Sequence, residues 1–339
     1  MKKIVALVTV GAFVLSLGIL LRAYAYPRLA VVPKDLDSKV VAQSLPDAPA
    51  TYFSIADLAE KQESLRNISS ARVDAKASEE VSDELGKDVL VVRSYACTDL
   101  ATVDCQTAPL PLSGAVSTFA IDKRSGEPVA WDGASIETGG ETEDGVDFKG
   151  LTIKFPFDAQ KKTYQFWNAD LRTTVPVAYV GEEKLHGLKV YRYKQTIEPT
   201  TVSRLDLPGD LVGSTESTVT TDRVTSGSTE YYVEPETGVI MSAVSSPDSY
   251  ASLDGNKVLT ITKGTFKSPE STIIDTVDEY KGLSKALFAV RVLAPIVGTV
   301  VGALCLLAAA VLWARRRRGT DDTQEVRPAP AGRREAAHV

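Results

Sequence analysis

The chain has 339 residues, of which 44% are hydrophobic and 24% are charged, so it can bury a sizeable core in one large or two small domains. Residues 1–26 and 291–339 carry 11 of the 38 basic residues and 4 of the 44 acidic ones, which leaves 27 basic and 40 acidic residues for the middle. That middle, with a net charge of −13, repels phosphate backbones, which excludes nucleic acid as an expected partner.

The first apolar segment runs from Ile4 to Leu21, 18 residues without a charge, directly after Lys2 and Lys3. At ~1.5 Å per helical residue it just spans a hydrocarbon layer of ~30 Å. We therefore predict a cytoplasmic N-terminus over residues 1–3 and a membrane-spanning signal anchor over residues 4–25.

The same segment also resembles a signal peptide, because Ala23-Tyr24-Ala25 is an A-x-A pattern that a signal peptidase could cleave. The apolar stretch is longer than the usual signal-peptide core, and Arg22 lies beside the cleavage position. These two features favour an uncleaved anchor, and cleavage after Ala25 is the alternative. In both interpretations the chain after residue 25 is exported across the membrane.

A second apolar segment, of 23 residues, runs from Val292 to Ala314. We predict a second membrane helix over residues 286–314, with Arg291 and Trp313 at its two interfaces as anchors. The anchor at its end is completed by four consecutive arginines: Arg315, Arg316, Arg317 and Arg318.

The positions of the Lys/Arg clusters predict the topology. Both clusters lie at the outer ends of the chain, and the positive-inside rule places such clusters in the cytoplasm. Residues 26–285 then form an extracytoplasmic domain, and residues 315–339 form a disordered basic tail in the cytoplasm. We predict a two-pass protein of a bacterial cytoplasmic membrane with its large domain outside.

Three cysteines are present. Cys97 and Cys105 are the two thiols of the exported segment, where disulfides persist, so we expect them to pair. Cys305 lies inside the second apolar segment and is expected to be a packing residue.

The exported segment is predicted to be mainly β, in an α+β arrangement. Short runs of β-branched and aromatic residues recur between Gly, Pro, Asp and Ser clusters, and several alternate as half-buried strands do. The predicted strands include 89–92, 116–121, 151–155, 177–180, 188–193, 231–233 and 258–262.

Other patterns predict helices and loops. Helices are expected over 79–85 and from Ile273 onward, where apolar residues recur at helical spacing. The Gly- and Glu-rich stretch 133–145 is predicted to be a loop. The Thr-rich stretch 200–228 is predicted to be a flexible insert or an exposed edge hairpin.

Two segments share the pattern aromatic-x-aliphatic-acid-x-x-hydroxyl-Gly, Phe119 to Gly126 and Tyr231 to Gly238. Glycine supplies the positive φ that a tight turn needs, so both segments are predicted to be hairpin turns. The likeness is an echo of duplication or a convergence of turn chemistry, and the sequence leaves both open.

Residues for catalysis are scarce. A serine triad requires a histidine base, and His186 is the one histidine of the exported segment. It lies in Leu185-His186-Gly187 between two predicted strands, which favours a turn. The sequence contains no G-x-S-x-G, phosphate-binding loop or H-x-x-x-H pair. We predict a protein that is not an enzyme and takes no cofactor or metal.

Several segments carry a family resemblance, above all the run from Gly150 to Asn168. Four others accompany it: Ala50 to Phe53, Asp122 to Gly126, Gly187 to Tyr193 and Val233 to Gly238. Together they resemble the actinobacterial porin PorA family, which includes a mycobacterial protein of lipoglycan synthesis.

The resemblance implies an elongated β-barrel-like domain with a helix lying across it, internal cavities suited to lipid, and a role in handling lipid or lipoglycan precursors. Five aromatic residues of the central run are our candidates for lining such a pocket: Phe155, Phe157, Tyr164, Phe166 and Trp167. The alternative is that these aromatic side chains only fill the core.

Three functions are carried forward. The leading hypothesis is a lipid-binding protein that assists envelope assembly, with membrane lipid or a lipoglycan precursor as its ligand and envelope-synthesis enzymes as further candidate partners. A scaffold that recruits an envelope enzyme or transporter is the second, and an oligomeric channel is the third. The oligomeric state stays open, because a lone G-x-x-x-G at Gly298 and Gly302 favours dimerisation only weakly.

Overall fold

A computed structural model of the protein describes residues 1–108 and 111–321, with side chains as far as Arg317. The α-helices are α1 (Lys2–Leu20), α2 (Tyr26–Leu29), α3 (Ala75–Leu85), α4 (Glu270–Phe288) and α5 (Ala294–Asp321). Two π-helical turns, Leu21–Ala25 and Ala289–Leu293, and a 3₁₀ turn, Gly209–Val212, accompany them. The strands are β1 (Asp37–Ser44), β2 (Ala50–Ser54), β3 (Ala59–Glu63), β4 (Leu65–Asp74), β5 (Val89–Leu100), β6 (Ser113–Asp122), β7 (Pro128–Val129), β8 (Ser135–Thr138), β9 (Glu141–Asp144), β10 (Tyr164–Asn168), β11 (Thr173–Leu185), β12 (Leu188–Pro208), β13 (Thr218–Val233), β14 (Ile240–Leu253), β15 (Asn256–Lys263) and β16 (Phe266–Lys267).

The chain divides into a helical unit, Met1–Leu29 with the residues from Phe288 onward, and a β unit, Ala30–Leu287. Two helical segments, Lys2–Leu29 and Glu270–Arg317, are long and apolar enough to cross a membrane. Both lie where the hydropathy of the sequence predicted membrane helices. Helix α5 continues to Asp321, so the predicted disordered tail is wrong for residues 315–321, and residues 322–339 lie outside the described residues.

In the helical unit, α1 and α5 pack antiparallel along a seam of glycines. A Cβ on Gly302 would stand 2.9 Å from the carbonyl oxygen of Gly11 and 2.8 Å from Cβ of Leu15. A Cβ on Gly298 would stand 2.9 Å from the carbonyl oxygen of Val14. Small residues let two helix backbones approach closely in an apolar medium, where burial alone gives no driving force. The G-x-x-x-G pattern is therefore used for packing within one chain.

The β unit is built on one antiparallel sheet. Its hydrogen-bonded strand order is β10-β11-β12-β13-β14-β16-β1-β4-β5-β6-β8-β9, with β15, β2, β3 and β7 attached beside this path. The mainly β class is confirmed. The sheet does not close into a barrel, because its end strands β9 and β10 form no ladder with each other in the part of the chain that the structure describes.

Two helices cover parts of this sheet. Helix α3 follows an N-cap in which the Asp74 carboxylate accepts a hydrogen bond from the backbone N–H of Ala77, and it ends at Gly86 in the left-handed region. Helix α4 buries Ile273 and Val277 against side chains of β12 and β14. Both helices overlap those predicted from sequence, and α4 is a helix that lies across strands of the sheet.

Two apolar clusters lie on different halves of the sheet. The first core comes mainly from β4, β5, β6 and β8, and its buried residues are Val32, Ala71, Val73, Leu90, Val92, Phe119, Ile121, Ala134, Ile136, Val146 and Phe148. The second core comes mainly from β10, β11, β12 and β13, and its buried residues are Leu151, Phe155, Ala159, Tyr164, Phe166, Val177, Tyr193 and Val233. The halves are joined in the strand order by β14, β16 and β1.

Three sequence predictions of local structure are resolved by the fold. The stretch 133–145 is not a loop, because β8 and β9 form a hairpin across Gly139 and Gly140, both of which have positive φ. The stretch 151–155 is not a strand, since it forms a single bridge between Leu151 and Phe166 and is otherwise irregular. The Thr-rich stretch 200–228 lies mostly in the β12–β13 hairpin, which confirms a hairpin, although β12 and β13 lie between β11 and β14 and not at an edge of the sheet.

Candidate functional site

The run Gly150 to Asn168, which carries the strongest family resemblance, connects the two cores. Going along the chain, Leu151, Phe155 and Ala159 pack in the second core. The residues between them, Ile153 and Phe157, pack against the first core. The segment therefore acts as a bridge that packs alternately on the two halves of the sheet.

The five aromatic candidates for a ligand pocket divide between the same two cores. Phe155, Tyr164 and Phe166 belong to the second core, where the ring centroids of Phe155 and Tyr193 stack 4.6 Å apart. The other two candidates, Phe157 and Trp167, pack against the first core. These are positions of core side chains, as in the alternative that the aromatic residues only fill the core. A role for them in ligand binding stays a prediction.

The two turns with the shared sequence pattern also share their hydrogen bonds. Asp122 Oδ1 accepts from the backbone N–H of Arg124 and Ser125 and from Ser125 Oγ, at 2.8–3.1 Å. The Glu234 carboxylate accepts in the same way from the backbone N–H of Glu236 and Thr237 and from Thr237 Oγ1, at 2.7–3.0 Å. The acid and hydroxyl of the pattern are therefore explained as parts of the turn.

The carboxylates of the two turns differ in how deeply they are buried and in how many donors they accept from. Burial by itself would raise the pKa of Asp122, but hydrogen bonds from Ser125 and Arg124 lower that pKa below its usual value. Glu234 is only 2% exposed, and it accepts a further hydrogen bond from Ser284 Oγ of α4 at 2.8 Å. The second turn is thus held by four donors to one buried carboxylate.

The Glu234 turn also holds the bridging segment in place. The backbone N–H of Phe155 donates to the carbonyl of Gly238 at 2.9 Å, and that of Ala159 donates to the carbonyl of Pro235 at 2.7 Å. These backbone groups form no sheet ladder, so the turn supplies the partners that a buried backbone requires. This pairing explains why the apolar stretch 151–155 is irregular although its composition favours a strand.

Lys154 lies between the two turns. Its Cγ lies 3.9 Å from where a Cβ on Gly126 would stand, and its Nζ lies 3.7 Å from the centroid of the Phe157 ring. The Nζ atom is buried and has no hydrogen-bond partner among the described residues. Burial lowers the pKa of Lys154 to about 7, and the nearby Glu234 carboxylate opposes this shift.

Two neighbours of Lys154 share its lack of partners. Thr152 Oγ1 and Trp167 Nε1 are buried and accept or donate no hydrogen bond within the described chain. Thr152 and Lys154 are not among the site residues predicted from the sequence, because polar residues in a predicted strand are ordinarily assigned to its solvent face. No signal in the sequence marks them, because Thr152 and Lys154 alternate with Leu151, Ile153 and Phe155 as the solvent face of a strand does.

The remaining predicted sites lie elsewhere. Cys97 and Cys105 form a disulfide, as predicted, and the Tyr95 hydroxyl donates to the carbonyl of Cys105 at 3.1 Å. His186 lies in the turn between β11 and β12 with φ of 45°, which confirms the turn assignment, and its Nε2 is 2.8 Å from Glu270 Oε1.

The predicted anchors lie at both ends of the helical unit. At one end, Arg22 Nη1 donates to the carbonyl of Arg291 at 3.3 Å, and each arginine lies in one of the two π-helical turns. At the other end, the Arg317 guanidinium lies 3.8 Å from the centroid of the Trp313 ring. These last two residues line a groove of about 340 Å³ together with Met1, Ile4, Val5 and Arg316. The predicted anchors Arg315 and Arg318 also lie in α5, with Arg315 exposed and the side chain of Arg318 outside the described residues.

A further groove, of about 370 Å³, lies beside α3 in the β unit and is lined by Lys34, Ala75, Ser78, Glu79, Ser82, Asp83, Asp88 and Val89. Its two serines have structural roles. Ser78 Oγ accepts from the backbone N–H of Val91, and Ser82 Oγ bonds both backbone groups of Val89. These contacts attach α3 to β5.

Comparison with known proteins places the chain in a family. The family described as Porin PorA matches residues 5–311, which cover the β unit and most of both long apolar helices. The chain belongs to the porin PorA family. The family membership expected from the sequence is thereby confirmed.

Two relatives of the PorA family are named porin PorA. The protein of Corynebacterium amycolatum is 25% identical over 222 residues, which cover 57% of this chain and 56% of the relative. The protein of Corynebacterium resistens is 26% identical over 258 residues, which cover 66% of this chain and 61% of the relative. The chain thus spans less than two thirds of the length of these PorA relatives.

Proposed function

We propose that this PorA-family chain is a non-catalytic envelope protein whose β unit binds lipid or lipoglycan precursors outside the cytoplasmic membrane and assists envelope assembly. The observation that carries the proposal is the apolar helix at each end of the β unit. These helices expose large apolar side chains, among them Phe13, Leu17, Leu304 and Leu307. A domain attached to such helices at both ends stays within reach of lipid headgroups.

The orientation in the proposal follows from charge. The groove at one end of the helical unit is lined by Arg316 and Arg317, and Lys2 and Lys3 begin the same end of α1. Lys and Arg beside a membrane helix favour the cytoplasmic side. The acidic β unit then lies on the outer side, where the disulfide between Cys97 and Cys105 persists.

The family name favours a second function, that of a channel. A pore made of strands requires a closed barrel with an outward apolar band. The sheet here is open, and its edge strand β9 is Glu141–Asp144, in which every residue is exposed. A channel therefore requires several copies of α1 and α5, whose glycine seam is used within the chain.

Native mass spectrometry of the full chain tests the proposal. The chain is purified from its own membrane in a mild non-ionic detergent, and bound lipid is extracted and identified. The control is an unrelated two-helix membrane protein purified in parallel. We expect lipid at near-stoichiometric occupancy that the control lacks. An apo mass that stays unchanged after incubation with extracted envelope lipids contradicts lipid binding, and discrete conductance steps in planar bilayers favour the channel.

A further inference from the structure

Three buried polar atoms that have no hydrogen-bond partner in the described part of the chain lie in the bridging segment and the strand beside it. We propose that Thr152, Lys154 and Trp167 form a subsite for an anionic group, a phosphate or carboxylate, of a molecule bound by the β unit. The subsite deepens the proposed function, since it names the headgroup chemistry of the lipid that the function requires.

The donor chemistry of the three side chains specifies the ligand. A lysine ammonium has three donors and no acceptor, an indole N–H is only a donor, and a threonine hydroxyl can donate. The complementary group is therefore rich in acceptors and carries negative charge. Phosphate and carboxylate oxygens form the shorter, charge-assisted hydrogen bonds with such donors.

Backbone contacts place the three residues together. The backbone N–H of Trp167 donates to the carbonyl of Leu151 at 2.7 Å, which puts Thr152 beside Trp167. Lys154 Nζ lies over the ring of Phe157, and Phe157 and Trp167 pack against the same core. Thr152 and Lys154 thus lie two residues apart in the bridging segment, next to the strand that carries Trp167.

Neighbouring groups compensate the Lys154 charge only in part, because its Nζ lies over the Phe157 ring and the Glu234 carboxylate acts on it without a hydrogen bond. Glu234, the carboxylate that acts on it electrostatically, already accepts from Glu236, Thr237 and Ser284. No ion pair of Lys154 occurs among the described residues. Because an unpaired buried charge is costly, the site favours a bound anion that pairs with it.

Polar atoms elsewhere in the same segment are satisfied. The Tyr193 hydroxyl donates to the carbonyl of Gln160 at 2.8 Å, and the Tyr164 hydroxyl accepts from the Gln160 backbone N–H at 2.7 Å. Unpartnered donors are therefore not a general feature of this region. Thr152, Lys154 and Trp167 are only partly buried as whole residues although these three polar atoms are buried, so binding requires the side chains to turn toward the surface.

Binding of three compounds to the full chain in non-ionic detergent tests the subsite. They are dioctanoyl phosphatidylglycerol, dioctanoylglycerol with the same acyl chains and no phosphate, and inorganic phosphate. For phosphatidylglycerol we expect Lys154→Met to raise Kd about tenfold or more, and Trp167→Phe and Thr152→Val to raise it about threefold each. The matched control Lys162→Met, at an exposed lysine of the same segment, should leave Kd within about twofold.

The unfolding midpoint of each variant without ligand is measured in parallel. Lys154→Met should be at least as stable as the parent, because it removes an unpaired buried charge. A loss of binding with retained stability therefore reports the subsite itself. Trp167→Phe and Thr152→Val give the same readout without a change of charge, should Lys154→Met fail to fold.

The three compounds separate the subsite from the proposed function. Equal binding of both lipids, unchanged by Lys154→Met, would overturn the subsite and leave lipid binding intact. Phosphate binding that depends on Lys154, with no binding of either lipid, would support the subsite and contradict the lipid function. Binding of none of the three compounds would overturn the subsite.

Discussion

Gly126 and Gly238 occupy the same position of the two matching turns, and both have a φ of 72°. Their surroundings differ. A Cβ on Gly126 would meet nothing closer than Lys154 Cγ at 3.9 Å, whereas a Cβ on Gly238 would stand 2.1 Å from the carbonyl oxygen of Phe155. Backbone strain and steric overlap can therefore be separated within one protein.

We predict that Gly126→Ala lowers the free energy of unfolding by about 1 kcal/mol, the cost of the left-handed conformation alone. Gly238→Ala should lower it by at least about 3 kcal/mol, because the overlap with a backbone oxygen adds to that strain. Guanidinium unfolding followed by tryptophan fluorescence measures both. Equal losses of unfolding free energy in the two variants would show that the Gly238 turn does not pack against the Phe155 carbonyl as closely as in the structure.

The lowered pKa of Lys154 predicts a pH dependence of stability. The pKa of Lys154 is about 7 in the folded chain and about 10 in the unfolded chain. Between these values the unfolded state binds more protons, so raising the pH relieves the cost of the buried charge.

We therefore expect Lys154→Met to be more stable than the parent at about pH 6, with a difference that shrinks as the pH approaches about 9. Other titrating groups cancel in this difference, since both proteins contain them. Unfolding midpoints across the pH range provide the measurement. A difference that does not change with pH would mean that Lys154 keeps an ordinary pKa.

At the scale of the elements, the glycine seam between α1 and α5 brings Gly11 next to Cys305. A Cβ on Gly11 would stand 2.9 Å from Cβ of Cys305, closer than the ~3.5–4.5 Å that a disulfide spans, so the two helices must move slightly apart for the bond to form. The native free cysteine can therefore report whether these two helices pair within one chain.

We predict that Gly11→Cys forms an intrachain cross-link with Cys305 under mild oxidation in membranes. Adding Gly302→Leu should abolish the cross-link, because the larger side chain separates the two backbones. Cross-linked monomer and dimer are distinguished by gel mobility and mass. A cross-linked dimer would show that the seam joins two copies of the chain.

Helices, strands and turns were predictable where neighbouring residues alone determine them. The apolar runs, the strands over 89–92 and 188–193 and the two glycine turns follow from residue type and spacing over a few positions. The stretch 151–155 could not be predicted, because its backbone partners are distant in the chain. The Phe155 N–H donates to Gly238, some eighty residues away, and Leu151 forms a bridge to β10. The β8–β9 hairpin was missed because its strands are short and acidic.

For the whole molecule, the proposed topology predicts different labelling at two sites. Ser64→Cys, at an exposed position of the β unit, should react with a membrane-impermeant maleimide in intact spheroplasts. Thr323→Cys, beyond the second membrane helix, should react only after lysis. Labelling of both before lysis would place the two ends of α5 on the same side and contradict a two-pass arrangement.

The sequence by itself determined the two long apolar helices, the mainly β class, the disulfide and the family, because each depends on composition, spacing or a contiguous motif. Only the tertiary structure decided the open strand order, the division of the aromatic run between two cores and the burial of Lys154. The physical reason is that strand pairing and burial depend on contacts between residues distant in the chain. No local pattern specifies whether a lysine between two apolar residues faces water or a core.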